Sequence, residues 1–313
     1  MEGKRVEGID VFRGISIVLM VFFTLILGLS TSLPDLLTHN KPGSLHLGDL
    51  VLPMFLFASG MSLVFFRKKI GNLKQSTRAF YIAERFSRLA IIWFWLAPFT
   101  AGDFFEMDEL MLSALLFVPS YLLAALDTRI ILSVIFMVSF SYAVLAAFGA
   151  LPDFTQHYLG GFAAAPFYLP VMLWGVVAGK EMENLKRVMA LQLLSAVIFL
   201  AVLPPDKLAV TPSFMAVSAL VSTGVFWLCV GKRNGVLEYL GRDPIRYWLM
   251  MILLIVVPLK LYALYAMVPL PLGWDWALAV MAALACVAAL YLLSRLFDMA
   301  AGRIFPGKAA KAG

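Results

Sequence analysis

Three places in the chain group side chains that could do ionic or acid–base chemistry. The first is Ile9-Asp10-Val11-Phe12-Arg13-Gly14. Its Asp10 and Arg13 stand three residues apart and share one face of a helix. The second runs from His39 through Lys41, Pro42 and His46 to Asp49. Two imidazoles that titrate near neutrality, with a carboxylate able to orient one of them, make a proton-transfer set. The third is Arg85 with Arg88. Together with Arg13 they form a guanidinium group suited to an anionic ligand. Each has a plainer reading: a salt bridge at a helix start, a carboxylate favoured at a helix N-terminus, or a solvated loop histidine. A zinc site is conceivable in the second group, but histidines spaced i, i+7 with one carboxylate are a weak metal signal, and no metal is expected. No glycine-rich phosphate loop or serine nucleophile elbow occurs.

The elements that must position these groups follow from composition. Of 313 residues, 62% are hydrophobic and 14% charged, with a mean hydropathy of +0.90. A soluble domain carries about 25% charged residues, so this chain lacks the polar surface to cover a globule in water. The expected fold is an all-α polytopic membrane protein of about ten transmembrane helices. Spans are expected near 10–31, 46–66, 80–100, 109–126, 129–149, 165–180, 185–204, 212–231, 244–268 and 274–297, each close to the ~20 residues that cross a bilayer. They form a single membrane domain over 1–313, with a basic, flexible tail over 300–313. The first apolar run reads as a retained helix, because no small-residue cleavage pattern follows it.

Sidedness follows from the basic residues, which cytoplasmic loops retain. With both termini cytoplasmic, this count places 22 of the 25 Lys and Arg on the inner side. Lys41, Lys207 and Lys260 are the outward exceptions. His39, His46 and His157 fall outside, as does the acidic stretch Asp103, Glu106, Asp108 and Glu109, read as plain surface. The net charge of +6 therefore reports topology, and no nucleic-acid partner is expected. Cys229 and Cys286 lie in apolar runs and read as small hydrophobes.

The order Asp10-x-x-Arg13-Gly14, then His39, then Asp49-Leu50-Val51-x-Pro53-x-Phe55-x-Phe57-x-x-Gly60-x-Ser62 resembles the heparan-α-glucosaminide N-acetyltransferase family of transmembrane acyltransferases. That family places its essential histidine ten residues before the motif Asp, which is His39 here. Leu173 to Gly179, Thr211-Pro212-Ser213-Phe214 and Gly241-Arg242-Asp243-Pro244 are similar to later family segments. The resemblance implies a diverged member that moves an acetyl group from cytosolic acetyl-CoA to a sugar or similar amine or hydroxyl acceptor on the outer side, at the cell membrane. It implies His39 as general base or acetyl carrier, Asp49 beside it and His46 in reserve. Arg13, Arg85 and Arg88 would bind the cofactor and Thr24 would line the cavity. The chain departs from the family pattern at Thr24, Pro42, Ser113–Pro119 and Asp243. Acetyl-CoA, the acceptor and membrane lipids are the expected partners, and a homodimer is compatible with the sequence. A transporter using Asp49 and Lys260, or an inactive member of the family, are the competing readings.

Overall fold

Apolar runs this long can bury their backbone polar groups in lipid only as helices or closed barrels, and the chain takes the first solution. The structure, a computed structural model, describes residues 7–38, 44–100, 107–154, 158–267, 270 and 272–304. His39, Lys41, Pro42, Asp103, Glu106, His157 and the tail beyond 304 lie outside the described residues. Among the described residues there is no strand. Twelve α-helices follow one another in the described residues: α1 (Glu7–Leu29), α2 (Val51–Ile70), α3 (Gln75–Thr100), α4 (Glu109–Leu123), α5 (Thr128–Ala147), α6 (Gly161–Lys180), α7 (Leu185–Leu200), α8 (Pro212–Cys229), α9 (Gly235–Arg242), α10 (Pro244–Met251), α11 (Val257–Tyr265) and α12 (Trp276–Ile304).

Among the described residues, seven segments are long and apolar enough to cross a membrane: Glu7–Leu29, Leu47–Ile70, Thr128–Ala147, Gly161–Lys180, Pro212–Cys229, Pro244–Tyr265 and Trp276–Ala300. The others fall short for visible reasons. α3 carries Arg78, Glu84, Arg85 and Arg88. α4 has 15 residues, and α7 has 16 and opens with Lys186 and Arg187.

Helix ends are set by local chemistry. Asp108 caps α4, its carboxylate accepting from the N–H groups of Leu110 (3.0 Å) and Met111 (2.9 Å). It is fully buried, so it is a structural cap rather than the plain acidic surface read from the sequence. Asp127 caps α5 in the same way through Arg129 N–H at 2.8 Å. Pro258 removes one backbone donor and would clash with the preceding turn. The chain accommodates it by widening Ile252–Val256 into a π-turn between α10 and α11, the usual way an extra residue is absorbed within a helix.

Two helix crossings rest on paired glycines. A Cβ on Gly60 of α2 would sit 2.0 Å from the Met172 carbonyl oxygen, and one on Gly175 of α6 would sit 2.1 Å from that of Phe57. The α1–α9 crossing repeats the device. A Cβ on Gly14 would meet the Leu237 carbonyl oxygen at 2.1 Å, and one on Gly241 that of Asp10 at 1.8 Å. Small residues at membrane helix interfaces let backbones approach this closely. One core gathers Phe57, Leu63, Met172, Val176 and Phe214; a second gathers Ile17, Ile26, Tyr247 and Trp248. Outward faces remain apolar, with Phe136, Met137 and Phe140 on α5 and Met281, Leu292 and Phe297 on α12 all exposed. Such a surface suits lipid and not water.

Candidate active site

The polypeptide enters α2 through a tight turn, Leu47–Leu50. His46 precedes it in extended conformation, and its backbone N–H donates to Oδ2 of Asp49 at 3.1 Å. The His46 imidazole Nδ1 stands 3.4 Å from the same oxygen. Asp49 has no exposed surface. Its other oxygen, Oδ1, lies 3.7 Å from the ammonium of Lys207, whose side chain is 9% exposed. A buried carboxylate needs a partner of opposite charge and further hydrogen bonds to offset its lost hydration. Asp49 has the lysine on one edge and the His46 N–H on the other.

Two more polar groups approach this pair. Glu109, in the first turn of α4, exerts its charge on Lys207. The Tyr168 hydroxyl on α6 is completely buried without a hydrogen-bond partner among the described residues, within electrostatic reach of both Glu109 and Asp49. Four segments far apart in sequence therefore converge at one end of the bundle. Burial pushes the Lys207 ammonium down to about 8, against the opposing pull of Asp49 and Glu109.

At the opposite end of α2 the chemistry is cationic. Arg67, Lys68, Arg78 and Lys180, with Val64, Gly71, Tyr121 and Ala124, line a cavity of about 420 Å³. Arg67 donates to the Tyr121 carbonyl at 3.3 Å and stacks over the Tyr121 ring, 5.1 Å from its centroid. Lys180 donates to the carbonyl of Leu126. The Arg78 Nε is buried with no hydrogen-bond partner among the described residues. Eighteen residues separate Asp49 from Arg67, so at 1.5 Å per helical residue the two ends lie about 27 Å apart, close to the ~30 Å of a hydrocarbon core.

The remaining expected residues lie between or beside these ends. Arg13 pairs with Asp10 at 3.0 Å and also donates to the Ser62 hydroxyl on α2. This places it toward the cationic half and joins the two motif segments. The Arg85 guanidinium lies over the rings of Phe66 (5.1 Å) and Phe117 (5.2 Å) and feels the charges of Arg13 and Arg88. Arg88 is the outlier: exposed, it pairs with Glu84 on its own helix. Thr24 is half-buried on α1. His39 is outside the described residues. Among the described residues no group of three His, Cys, Asp or Glu could hold a metal ion.

Lys207, Tyr168 and the cavity cations were not among the residues singled out for chemistry. For Lys207 the signal was its place among the few outward exceptions to the basic-side rule. For Tyr168 nothing in its neighbours marks it.

An all-helical bundle with apolar outer faces, a buried carboxylate–ammonium pair at one end and a cationic cavity at the other is an integral membrane protein with ionisable groups gathered at both of its ends. Residues 5–210 match the family described as heparan-alpha-glucosaminide N-acetyltransferase, catalytic. That is about two thirds of the chain, and the chain belongs to this family, a family of membrane acyltransferases. No curated protein matches the chain. The match takes in α1 to α7 and the loop bearing Lys207, so every residue of both ends described above falls within it.

Proposed function

We propose that the protein takes acetyl-CoA from the cytoplasmic side of the cell membrane and passes the acetyl group to a sugar or similar amine or hydroxyl acceptor on the outer side. The observation that carries this reading is the polarity of α2, with a buried carboxylate at its start and a basic cavity at its end. The distribution of basic residues supports a cavity end on the inner side, with both termini there and ten crossings, three of which would fall on α3, α4 and α7. The phosphates of CoA would sit against Arg67, Arg78 and Lys180, since fixed cations recognise phosphate through charge-assisted hydrogen bonds. Arg13 and Arg85 would flank the pantetheine path and Thr24 would line it.

At the outer end, Asp49 would hold an imidazole in the orientation needed for proton transfer. His39 would act there, either removing the acceptor proton as the acceptor attacks the thioester carbonyl, or attacking first to form an acetyl-imidazole with release of CoA. His46 is the reserve base.

Binding of acetyl-CoA and CoA to the purified full-length protein tests the reading. Micromolar Kd values are expected by calorimetry. Arg67→Ala and Arg13→Ala should each weaken binding about tenfold, the scale of one lost hydrogen bond to a charged group. Arg88→Ala should change it little, because that side chain is exposed and paired on its own helix. No binding to well-folded protein would refute the donor assignment and return weight to a transporter.

A further inference from the structure

Lys207 lies in the 201–211 connection between α7 and α8, where a lysine would ordinarily extend its ammonium into water. Here the loop is built to turn it inward. The Asp206 carboxylate accepts from the N–H groups of Leu208 (2.8 Å) and Ala209 (3.1 Å). The Thr211 hydroxyl accepts from the Asp206 N–H at 2.9 Å and donates to the Pro204 carbonyl at 3.0 Å, and Ser213 donates to that same carbonyl at 2.9 Å. Tyr142 of α5 donates to the Ala209 carbonyl. Val210 is held at φ +56° and is almost fully buried. A β-branched residue there costs about 1–3 kcal/mol and persists only where its surroundings over-determine it.

Stability alone does not explain such a construction. Replacing a buried ion pair by well-packed apolar side chains is often neutral or stabilising, by about 1–4 kcal/mol. We propose that Lys207 is a positioning residue of the transfer site, its ammonium fixing the Oδ1 edge of Asp49 so that Oδ2 is presented to the histidine side. This rests on the acyltransferase reading above. Lys207 acts on the substrate only through Asp49.

Among the described residues, the charges recorded as acting on Lys207 are Asp49 ahead of α2 and Glu109 of α4; His46 lies against that Asp49, Tyr168 of α6 is within reach of both carboxylates, and Asp206 of the same loop acts on Tyr142 of α5. Burial outweighs the two carboxylates, so the ammonium persists below about 8 and is lost above it. Positioning should fail on the alkaline side of that value. An arginine stays charged far higher and would carry the function upward in pH.

The test uses the full chain in lipid nanodiscs, radiolabelled acetyl-CoA and methyl α-glucosaminide as acceptor. Wild type, Lys207→Met and Lys207→Arg are compared over a range from about pH 6 to 10.5 that spans this value and the ordinary lysine pKa. Lys207→Met should lower kcat about a hundredfold with little change in KM. Lys207→Arg should recover a substantial part of kcat and move the alkaline limb to higher pH. Thermal unfolding is read in parallel. Because folding lowers the lysine pKa, the unfolded chain binds the extra proton between about 8 and 10.5. Over that window wild type should gain stability relative to Lys207→Met.

Wild-type rates in Lys207→Met, or an alkaline limb unmoved in Lys207→Arg, would overturn the proposal. If wild type transfers no acetyl group, the acyltransferase reading fails and takes the positioning role with it. The unfolding series still reports whether Lys207 is the buried titrating group.

Discussion

Asp49→Asn should lower acetyl transfer by about 10²–10⁴-fold, the range general acid–base catalysis contributes, and should also destabilise the fold. The asparagine keeps the shape and can still accept the His46 N–H that Asp49 takes at 3.1 Å. What it removes is the negative charge 3.7 Å from Lys207. An ammonium with its side chain 9% exposed is then left without that partner, and breaking a buried pair from one side costs about 3–5 kcal/mol. The deficit should be largest below about 8, where Lys207 carries its proton, and should shrink as pH rises and the lysine becomes neutral. Combining Asp49→Asn with Lys207→Met removes both charges. The double variant should regain most of the stability and none of the activity. That non-additivity in unfolding, with a loss in rate no greater than that of Asp49→Asn alone, is what a double-mutant cycle would read. A single Asp49→Asn variant with wild-type turnover would refute the catalytic assignment of this carboxylate.

The second large effect is at the α2–α6 crossing. Gly175→Leu should yield little monodisperse protein, and Gly175→Ala should unfold at a clearly lower temperature. Two terms of opposite sign compete for the alanine. Helix propensity favours it by about 1 kcal/mol. Against it, the new Cβ would lie 2.1 Å from the Phe57 carbonyl oxygen and 3.0 Å from its Cα. Both obstacles are backbone, so no rotamer change relieves them, and α2 must move away. Overpacking of this kind costs about 1–3 kcal/mol, occasionally more, so the clash wins. Gly224→Ala is the internal control, because its nearest neighbour would be the end of the Met189 side chain at 3.9 Å. There only the propensity gain remains, and the variant should be neutral or slightly more stable. Equal melting temperatures for Gly175→Ala and Gly224→Ala would refute the crossing argument. Because α2 carries Asp49 ahead of its first turn and Arg67 in its last, while α6 carries Tyr168 and Lys180, a shifted crossing would also disturb both ends of the site.

The same glycines show why a motif can be recognised before it is understood. Gly14, Gly60, Gly175 and Gly241 all stood in segments that carried the family resemblance, where they had no assigned chemistry. Their role is mechanical: each takes a backbone contact that a Cβ would forbid. Asp108 shows the reverse error. Its acidic neighbours suggested a solvated loop, yet its carboxylate caps α4 and is fully buried. Composition of a loop does not tell a capping carboxylate from a surface one, since that depends on what packs over the helix end.

By itself the sequence determined the helical membrane class and the family. Each of these depends on terms that add along the chain: the transfer energy of an apolar run, the cost of moving a charge across lipid, the order of motif residues. What only the tertiary structure decided is which residues meet. Lys207 reaches Asp49 across more than 150 residues, Arg13 reaches Ser62, and Arg67, Arg78 and Lys180 share one cavity. Such meetings depend on where helices cross and how close their backbones come, and a single side chain at a crossing changes that. No local rule of spacing contains that information, because in a bundle of antiparallel helices contact is set by packing between elements far apart in sequence.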